Sequence, residues 1–149
     1  MEALQFPIYT FEIRDQEQKK LIFDIARKKF IPLTPEEWVR QHVIAHCIQR
    51  YNISPTLISV EREIRFNGLK KRFDILVYNQ EGKAEILVEC KAPDVKISSE
   101  TVLQAGMYNK SLNCPWLYIT NGLQHYWFYW SGEKLLPSTA PESWPFTKP

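Results

Sequence analysis

Three charged residues lie in or directly after two apolar segments, where a buried strand would normally carry no charge. Asp74 belongs to the segment 72–77, and Glu89 and Lys91 belong to the segment 86–92. If the two segments pair as adjacent strands, Asp74 comes close to Glu89, and Lys91 shares the face of Glu89 because side chains alternate along a strand. Charges in such a place are costly unless they are paired or bound to a metal.

Hydrolysis of a phosphodiester is the chemistry that these residue types suit. The carboxylates of Asp74 and Glu89, with the backbone carbonyl of Cys90, are oxygen ligands of the kind that Mg²⁺ takes. A bound metal would polarise a phosphate and lower the pKa of a water, and Lys91 could orient that water or offset developing charge. The spacing equally allows a plain cross-strand ion pair in which Lys91 neutralises Asp74 or Glu89.

The composition indicates one soluble globular domain. The chain has 149 residues, of which 44% are hydrophobic and 24% charged, and its net charge of +2 does not by itself indicate a nucleic-acid-binding protein. Three cysteines without close spacing form neither a zinc motif nor a disulfide framework, which favours a reducing, cytoplasmic setting. We find no signal peptide and no apolar run long enough to cross a membrane, so no membrane partner is expected.

The N-terminal third contains one strong helix signal. Thr34 is a natural N-cap, Pro35 occupies the first helical position, and Glu37 stands three residues after the cap. This pattern predicts a helix that runs to about residue 51. In front of it, residues 8–14 and 20–24 predict two short strands, which would form an N-terminal hairpin extension over residues 1–26.

The remaining segments predict a mixed sheet flanked by helices. Strands are expected at 57–66, 72–78 and 84–91, followed by a helix at about 99–111 that Ser98 or Ser99 caps, and by a hairpin formed by 116–120 and 124–130. The proline-rich residues 131–149 predict an irregular tail. The fold class is therefore α/β (α+β): helix, three strands, helix, two strands, in a single domain over residues 1–149 with its core at about 27–130.

Several motifs together resemble the PD-(D/E)xK nuclease superfamily, and more specifically the N-terminal nuclease domain of the R subunit of type I restriction enzymes and its small stand-alone relatives. The likeness spans roughly residues 27–130. It is carried by residues 33–41 (Leu-Thr-Pro-Glu-Glu-Trp-Val-Arg-Gln), 71–77 (Lys-Arg-Phe-Asp-Ile-Leu-Val), 87–93 (Leu-Val-Glu-Cys-Lys-Ala-Pro), Gln104 with Tyr108, and 120–122 (Thr-Asn-Gly).

The resemblance implies a restriction-endonuclease-like core with a metal-dependent site. It implies that Asp74 and Glu89 bind Mg²⁺, with Mn²⁺ as a substitute, that Lys91 serves catalysis, and that an acid on the first helix, best matched by Glu37, completes the metal site. The pair Gln104 and Tyr108 resembles the Gln-x-x-x-Tyr motif of related nucleases. Spacing i, i+4 places both on one helical stripe, where they could contact DNA or support the site together with Lys70, Lys71 and Arg72.

The implied function is a metal-dependent DNA endonuclease of a restriction system. We expect no ATP site, because the chain has no Gly-x-x-x-x-Gly-Lys-[Ser/Thr] loop, and we expect no small-molecule cofactor. The implied partner is DNA, with a homodimer or restriction-type subunits as further partners. The alternative is a non-catalytic DNA-binding or subunit-interaction module that keeps the nuclease fold.

Overall fold

Two β-sheets and two α-helices make up the protein, as seen in a computed structural model that describes the backbone of residues 1–149 and every side chain except that of Phe66. The N-terminal sheet contains three strands. The helices and the strands of the larger sheet follow it along the chain. The elements in chain order are β1 (Ile13–Gln16), β2 (Lys19–Asp24), β3 (Lys29–Pro32), α1 (Pro35–Gln49), a 3-10 turn (Pro55–Leu57), β4 (Ile58–Phe66), β5 (Leu69–Tyr78), β6 (Ala84–Cys90), α2 (Ser99–Leu112), β7 (Trp116–Thr120), β8 (His125–Trp130) and β9 (Leu135–Ser138).

The larger sheet has six strands in the order β4-β5-β6-β7-β8-β9. Strands β6 and β7 are parallel, and the other neighbours are antiparallel. The parallel pair is possible because α2 provides the long crossover connection that parallel strands need. The mixed sheet predicted from the sequence is therefore confirmed.

Both helices begin at the predicted caps. Thr34 Oγ1 accepts a hydrogen bond from the backbone amide of Glu37 (3.1 Å) and Pro35 opens α1, whereas Ser98 caps α2 through the amide of Thr101 (3.3 Å). These side chains satisfy amides that have no partner within the helix. Within the described residues, neither helix has the length and apolar character that crossing a bilayer requires.

Each face of the six-stranded sheet is covered by one helix. Facing α1, the core contains Val39 and Val43 with Ile75 and Val88, together with Cys90. Facing α2, a second core is formed by residues of the sheet and of α2: Phe73, Leu76, Leu87, Ala105, Leu117 and Ile119. The central strands are consequently apolar on both sides, as expected for a sheet buried between two layers.

Two parts of the strand prediction were wrong. Strand β1 begins at Ile13 rather than at residue 8, and β3 (Lys29–Pro32) extends the predicted hairpin to a three-stranded sheet. The tail was expected to be irregular, but β9 (Leu135–Ser138) pairs with β8. Pro32 and Pro137 obscured these strands. Both strands lie at sheet edges, where a missing backbone donor is tolerated.

An N-terminal segment, residues 2–9, runs over α1 and the turn between β7 and β8. The indole of Trp38 donates to the Glu2 carbonyl (2.8 Å), and the amide of Gln5 donates to the Gly122 carbonyl (2.8 Å). Gly122 has a φ of +84°, and an added Cβ would lie 2.9 Å from Leu4. Only glycine combines this backbone conformation with such a close contact.

Candidate functional site

Asp74 lies at an interruption in the pairing of β4 with β5. The ladder contains the pairs Val60↔Ile75 and Arg62↔Phe73 but omits the pair between them, where Glu61 has a φ of +54°. Such local distortions change the direction of side chains. The Asp74 carboxylate is thereby placed between α1 and β6.

The Asp74 carboxylate is held at both oxygens. Its Oδ1 accepts a hydrogen bond from Arg40 Nη2 at 2.7 Å, and its Oδ2 accepts one from the backbone amide of Cys90 at 2.9 Å. The Arg40 contact is a charge-assisted bond between largely buried groups. Asp74 is therefore fixed in position by the helix on one side and by β6 on the other.

Glu89 lies beside Asp74, as the predicted pairing of β5 with β6 requires. The pair Ile75↔Val88 is the first of the β5–β6 ladder, and its register places Glu89 opposite Asp74 on the neighbouring strand. Burial, followed by the negative charge of Asp74, raises the pKa of Glu89 to about 8. Its Oε1 is buried and has no hydrogen-bond partner among the described residues.

Two lysines contribute positive charge to this site. Lys91 follows β6 directly, and its backbone amide donates to the Thr120 carbonyl at 2.9 Å. The ammonium groups of Lys91 and Lys71 both act to lower the pKa of Glu89, although burial and Asp74 outweigh them. The acidic pair of Asp74 and Glu89 is therefore close enough to Lys91 for the charge of this lysine to act on Glu89.

The two acids of the first turn of α1 have different surroundings. Glu37 is buried and accepts from Arg27 (3.0 Å), Arg40 (2.7 Å) and Gln41 (3.1 Å). Glu36 is half-exposed, and burial and the charge of Asp74 raise its pKa, against the effects of Arg40 and Lys91. Glu36 therefore senses the charge of Asp74, whereas the predicted Glu37 is bonded to Arg27, Arg40 and Gln41.

Arg40 is the cation that connects these acids. The residue is 5% exposed, and its guanidinium donates to Glu36 (3.0 Å), Glu37 (2.7 Å) and Asp74 (2.7 Å). Burial alone would lower the pKa of Arg40, but the hydrogen bond to Asp74 and the charge of Glu37 raise it. Arg40 therefore stays charged, and it aligns α1 with the site.

Tyr108 and Gln104, the two residues of α2 predicted to contact DNA or support the site, differ in burial and surroundings. Tyr108 is half-buried, and the Lys71 ammonium lies 5.0 Å from its ring centroid, so this part of α2 is adjacent to Glu89 through Lys71. Gln104, one turn earlier, is exposed. Lys70 and Arg72 are also exposed on β5, and Lys70 pairs with Glu63 at 3.4 Å.

The donor set fits a hard divalent cation at two carboxylates. Among the described residues no group of three or more His, Cys, Asp or Glu side chains is arranged to hold a metal. However, Mg²⁺ is commonly bound through only one or two carboxylates, with waters completing its shell. The repulsion between Asp74 and Glu89, and the Oε1 atom without a partner, are both relieved by a cation placed there.

Sequence reasoning missed Arg40 and Glu36. The available signal was the spacing of Glu36 and Arg40 at i, i+4 on a helix whose buried side also carries Glu37 and Gln41. Buried charges on a helix that packs on a sheet must be paired with groups of that sheet or of a neighbouring element. The pattern indicates a polar network but not which acid faces the site.

The comparison with protein families agrees with this geometry. The family model described as type I restriction enzyme R protein N terminus (HSDR_N) matches residues 35–136, from the first residue of α1 into β9. The match includes every residue of the acidic pair, Lys91 and Arg40. No similar curated protein was found. The chain belongs to the family of type I restriction enzyme R protein N termini.

Proposed function

We propose that this protein is a Mg²⁺-dependent DNA endonuclease with a restriction-endonuclease-like core. The observation that carries the proposal is the pair of adjacent carboxylates of Asp74 and Glu89, of which Glu89 Oε1 is buried and has no hydrogen-bond partner among the side chains that the structure describes. Membership of the restriction R-protein family supports a nuclease-type role in a restriction system, with DNA and restriction-type subunits as partners.

Asp74 and Glu89 would hold the cation, and the half-exposed Glu36 is better placed than Glu37 to contribute a further oxygen through a water. A divalent cation bound there supplies Lewis-acid polarisation of a phosphate and a water of lowered pKa. Glu89 must give up its proton for this role, because burial and Asp74 raise its pKa to about 8.

Lys91 would act on the reacting groups themselves. Its ammonium lies near both Glu89 and Glu36, whose pKa values it acts to lower. In that position it can donate a hydrogen bond to the attacking water or to a phosphate oxygen that gains negative charge. Arg40 is a positioning residue in this scheme, since it holds Asp74 and α1 and does not contact the substrate.

Cleavage of supercoiled plasmid in Mg²⁺ or Mn²⁺ tests the proposal. Glu89→Gln and Lys91→Met are expected to lower the cleavage rate by about 10²- to 10³-fold, as removal of one electrostatic group typically does. Glu81→Gln, at the exposed far end of the same hairpin, is the matched control and should cleave as wild type. Cleavage by Glu89→Gln at the wild-type rate contradicts the proposal.

One observation favours a second candidate, a non-catalytic DNA-binding or subunit-interaction module. The ion pair of Arg40 with Asp74 at 2.7 Å satisfies one of the two acids without any metal. Titration calorimetry with Mn²⁺ separates the candidates. The nuclease gives binding heat that Asp74→Asn and Glu89→Gln abolish, whereas the module gives none.

A further inference from the structure

Strands β4 and β5 extend beyond the rest of the sheet as a two-stranded ribbon. Pairing of β5 with β6 starts at Ile75↔Val88, whereas pairing of β4 with β5 continues from Arg62↔Phe73 to residues 66 and 69. We call residues 62–73 the basic ribbon. It ends at Asn67 and Gly68, whose φ angles of +48° and +77° are those of a tight hairpin turn.

The two faces of the basic ribbon have different surroundings. Directly opposed residues of an antiparallel pair share a face. On the inner face, Phe73 is buried and Ile64 packs against the core beneath α2, while Lys71 lies over Tyr108. The outer face carries exposed polar side chains, which are Glu63, Arg65, Lys70 and Arg72.

Positive charge is concentrated in the basic ribbon. Its twelve residues contain five of the 19 cationic side chains of the protein but only one of the 17 acidic ones. The rest of the chain therefore has a small excess of acid, although the whole carries +2. Within the side chains that the structure describes, Arg65 and Arg72 of the outer face form no ion pair, so these two guanidinium groups are available to a polyanion.

The basic ribbon starts at the candidate site. Phe73, the last residue of the ribbon, directly precedes Asp74. Glu61, which directly precedes the ribbon, forms ion pairs with Arg27 (3.3 Å) and Arg40 (3.7 Å). The same Arg40 holds Asp74, so the orientation of the ribbon is coupled to that of the site. From Leu69 to Asp74 the strand extends about 17 Å at 3.3–3.4 Å per residue.

We propose that the basic ribbon lies in the major groove of duplex DNA whose backbone passes the proposed metal site at Asp74 and Glu89. The major groove is about 12 Å wide and admits a two-stranded ribbon. Among the side chains that the structure describes, the outer face carries arginines and a lysine but no aromatic group on which single-stranded bases would stack. The inference rests on the proposed nuclease function for the position of the DNA backbone.

Fluorescence anisotropy with a labelled 25-base-pair duplex, in EDTA and a KCl series, tests the inference. The triple variant Arg65→Gln, Lys70→Gln, Arg72→Gln removes the three cations of the outer face and should bind the duplex about tenfold or more weakly, and the slope of log K against log[KCl] should fall by about 2 to 3. The matched control is Lys19→Gln, Lys83→Gln, Lys134→Gln, which removes equal charge at exposed positions elsewhere and should change the affinity less than twofold.

The outcomes separate this inference from the proposed function. Equal losses in the ribbon variant and the control overturn the inference, and so does an equal loss for duplex and for single strands of the same sequence. Unchanged Mn²⁺ heat in the ribbon variant, with weakened duplex binding, supports it. If the wild type shows no carboxylate-dependent Mn²⁺ heat, the nuclease proposal fails, while ribbon-dependent duplex binding still supports a groove-binding ribbon.

Discussion

Two clusters of buried acids lie on either side of Arg40, and they differ in how completely their oxygens are paired. In the first, Asp24 is fully buried and accepts from the amides of Ala26 (2.8 Å) and Arg27 (2.9 Å), from Arg27 Nε and from Gln41 Nε2 (3.1 Å). In the second, Glu89 is 9% exposed and its Oε1 has no partner in the described part of the chain.

Both acids are buried, but only Asp24 has a full set of hydrogen-bond partners among the residues described, so burial of a carboxylate does not by itself indicate a functional site. A buried acid with every lone pair occupied is part of the scaffold, since removing it leaves its partners unpaired. An acid with an unpaired oxygen and a raised pKa is costly to the fold and gains from a ligand. On this ground we interpret the Asp24–Glu37 cluster as structural, and the Asp74–Glu89 cluster is the one for which we propose metal-dependent chemistry.

Asp24→Ala should have the largest effect on stability. The substitution leaves Arg27 largely buried with less charge to balance it, and such a loss costs about 3–5 kcal/mol. Urea unfolding measures the change. The control is Asp15→Ala, an exposed residue paired with Lys20 at 3.4 Å, which should cost less than about 1 kcal/mol. A loss below about 1 kcal/mol for Asp24→Ala would remove the distinction between the clusters.

Arg40→Met should destabilise the protein by about 3 kcal/mol, because Glu37 and Asp74 both lose a buried cation. The double variant Arg40→Met, Asp74→Asn measures the coupling energy between Arg40 and Asp74. Asparagine removes one unpaired charge, so the double variant should be less destabilised than the sum of the two single variants. Strict additivity in urea unfolding would show that Arg40 does not couple the two clusters.

Glu89→Gln should stabilise the metal-free protein at pH 8 by about 2 to 4 kcal/mol. The native pKa of Glu89 is raised to about 8, so the unfolded chain releases the proton at lower pH than the native state does. Stability is therefore fully present below about pH 4.5 and declines as the pH rises through 8. Thermal unfolding between pH 5 and 9 should show a decline that is smaller in Glu89→Gln and unchanged in Glu81→Gln.

Thr34→Ala should have the smallest effect, about 1 kcal/mol, because it removes only the N-cap bond to the amide of Glu37. The first turn of α1 carries Glu36 for one cluster and Glu37 for the other. Thr34→Ser, which keeps the hydroxyl, should be nearly neutral in urea unfolding. A selective loss of Mn²⁺ binding in Thr34→Ala, without loss of stability, would contradict a purely structural cap.

Local signals predicted the elements that position the site. The Thr34–Pro35 cap and the Ser98 cap fixed the helix starts, and alternation along the strands brought Asp74 next to Glu89. Arg40 and the choice between Glu36 and Glu37 were beyond such reasoning. They depend on the rotation of α1 about its own axis against the sheet, which long-range packing determines.

The family match covers residues 35–136, but buried ion pairs and aromatic contacts of the domain include residues before this range. A version trimmed to residues 35–136 would lose Asp24 and Arg27, leaving Glu37 and Gln41 with an incomplete set of partners inside the domain. It would also lose Phe6, whose ring lies 4.8 Å from that of His125 and 5.4 Å from that of His46, and so uncover an aromatic surface. Recombinant versions of this protein should accordingly keep about thirty residues upstream of residue 35, because the uncovered aromatic surface favours aggregation.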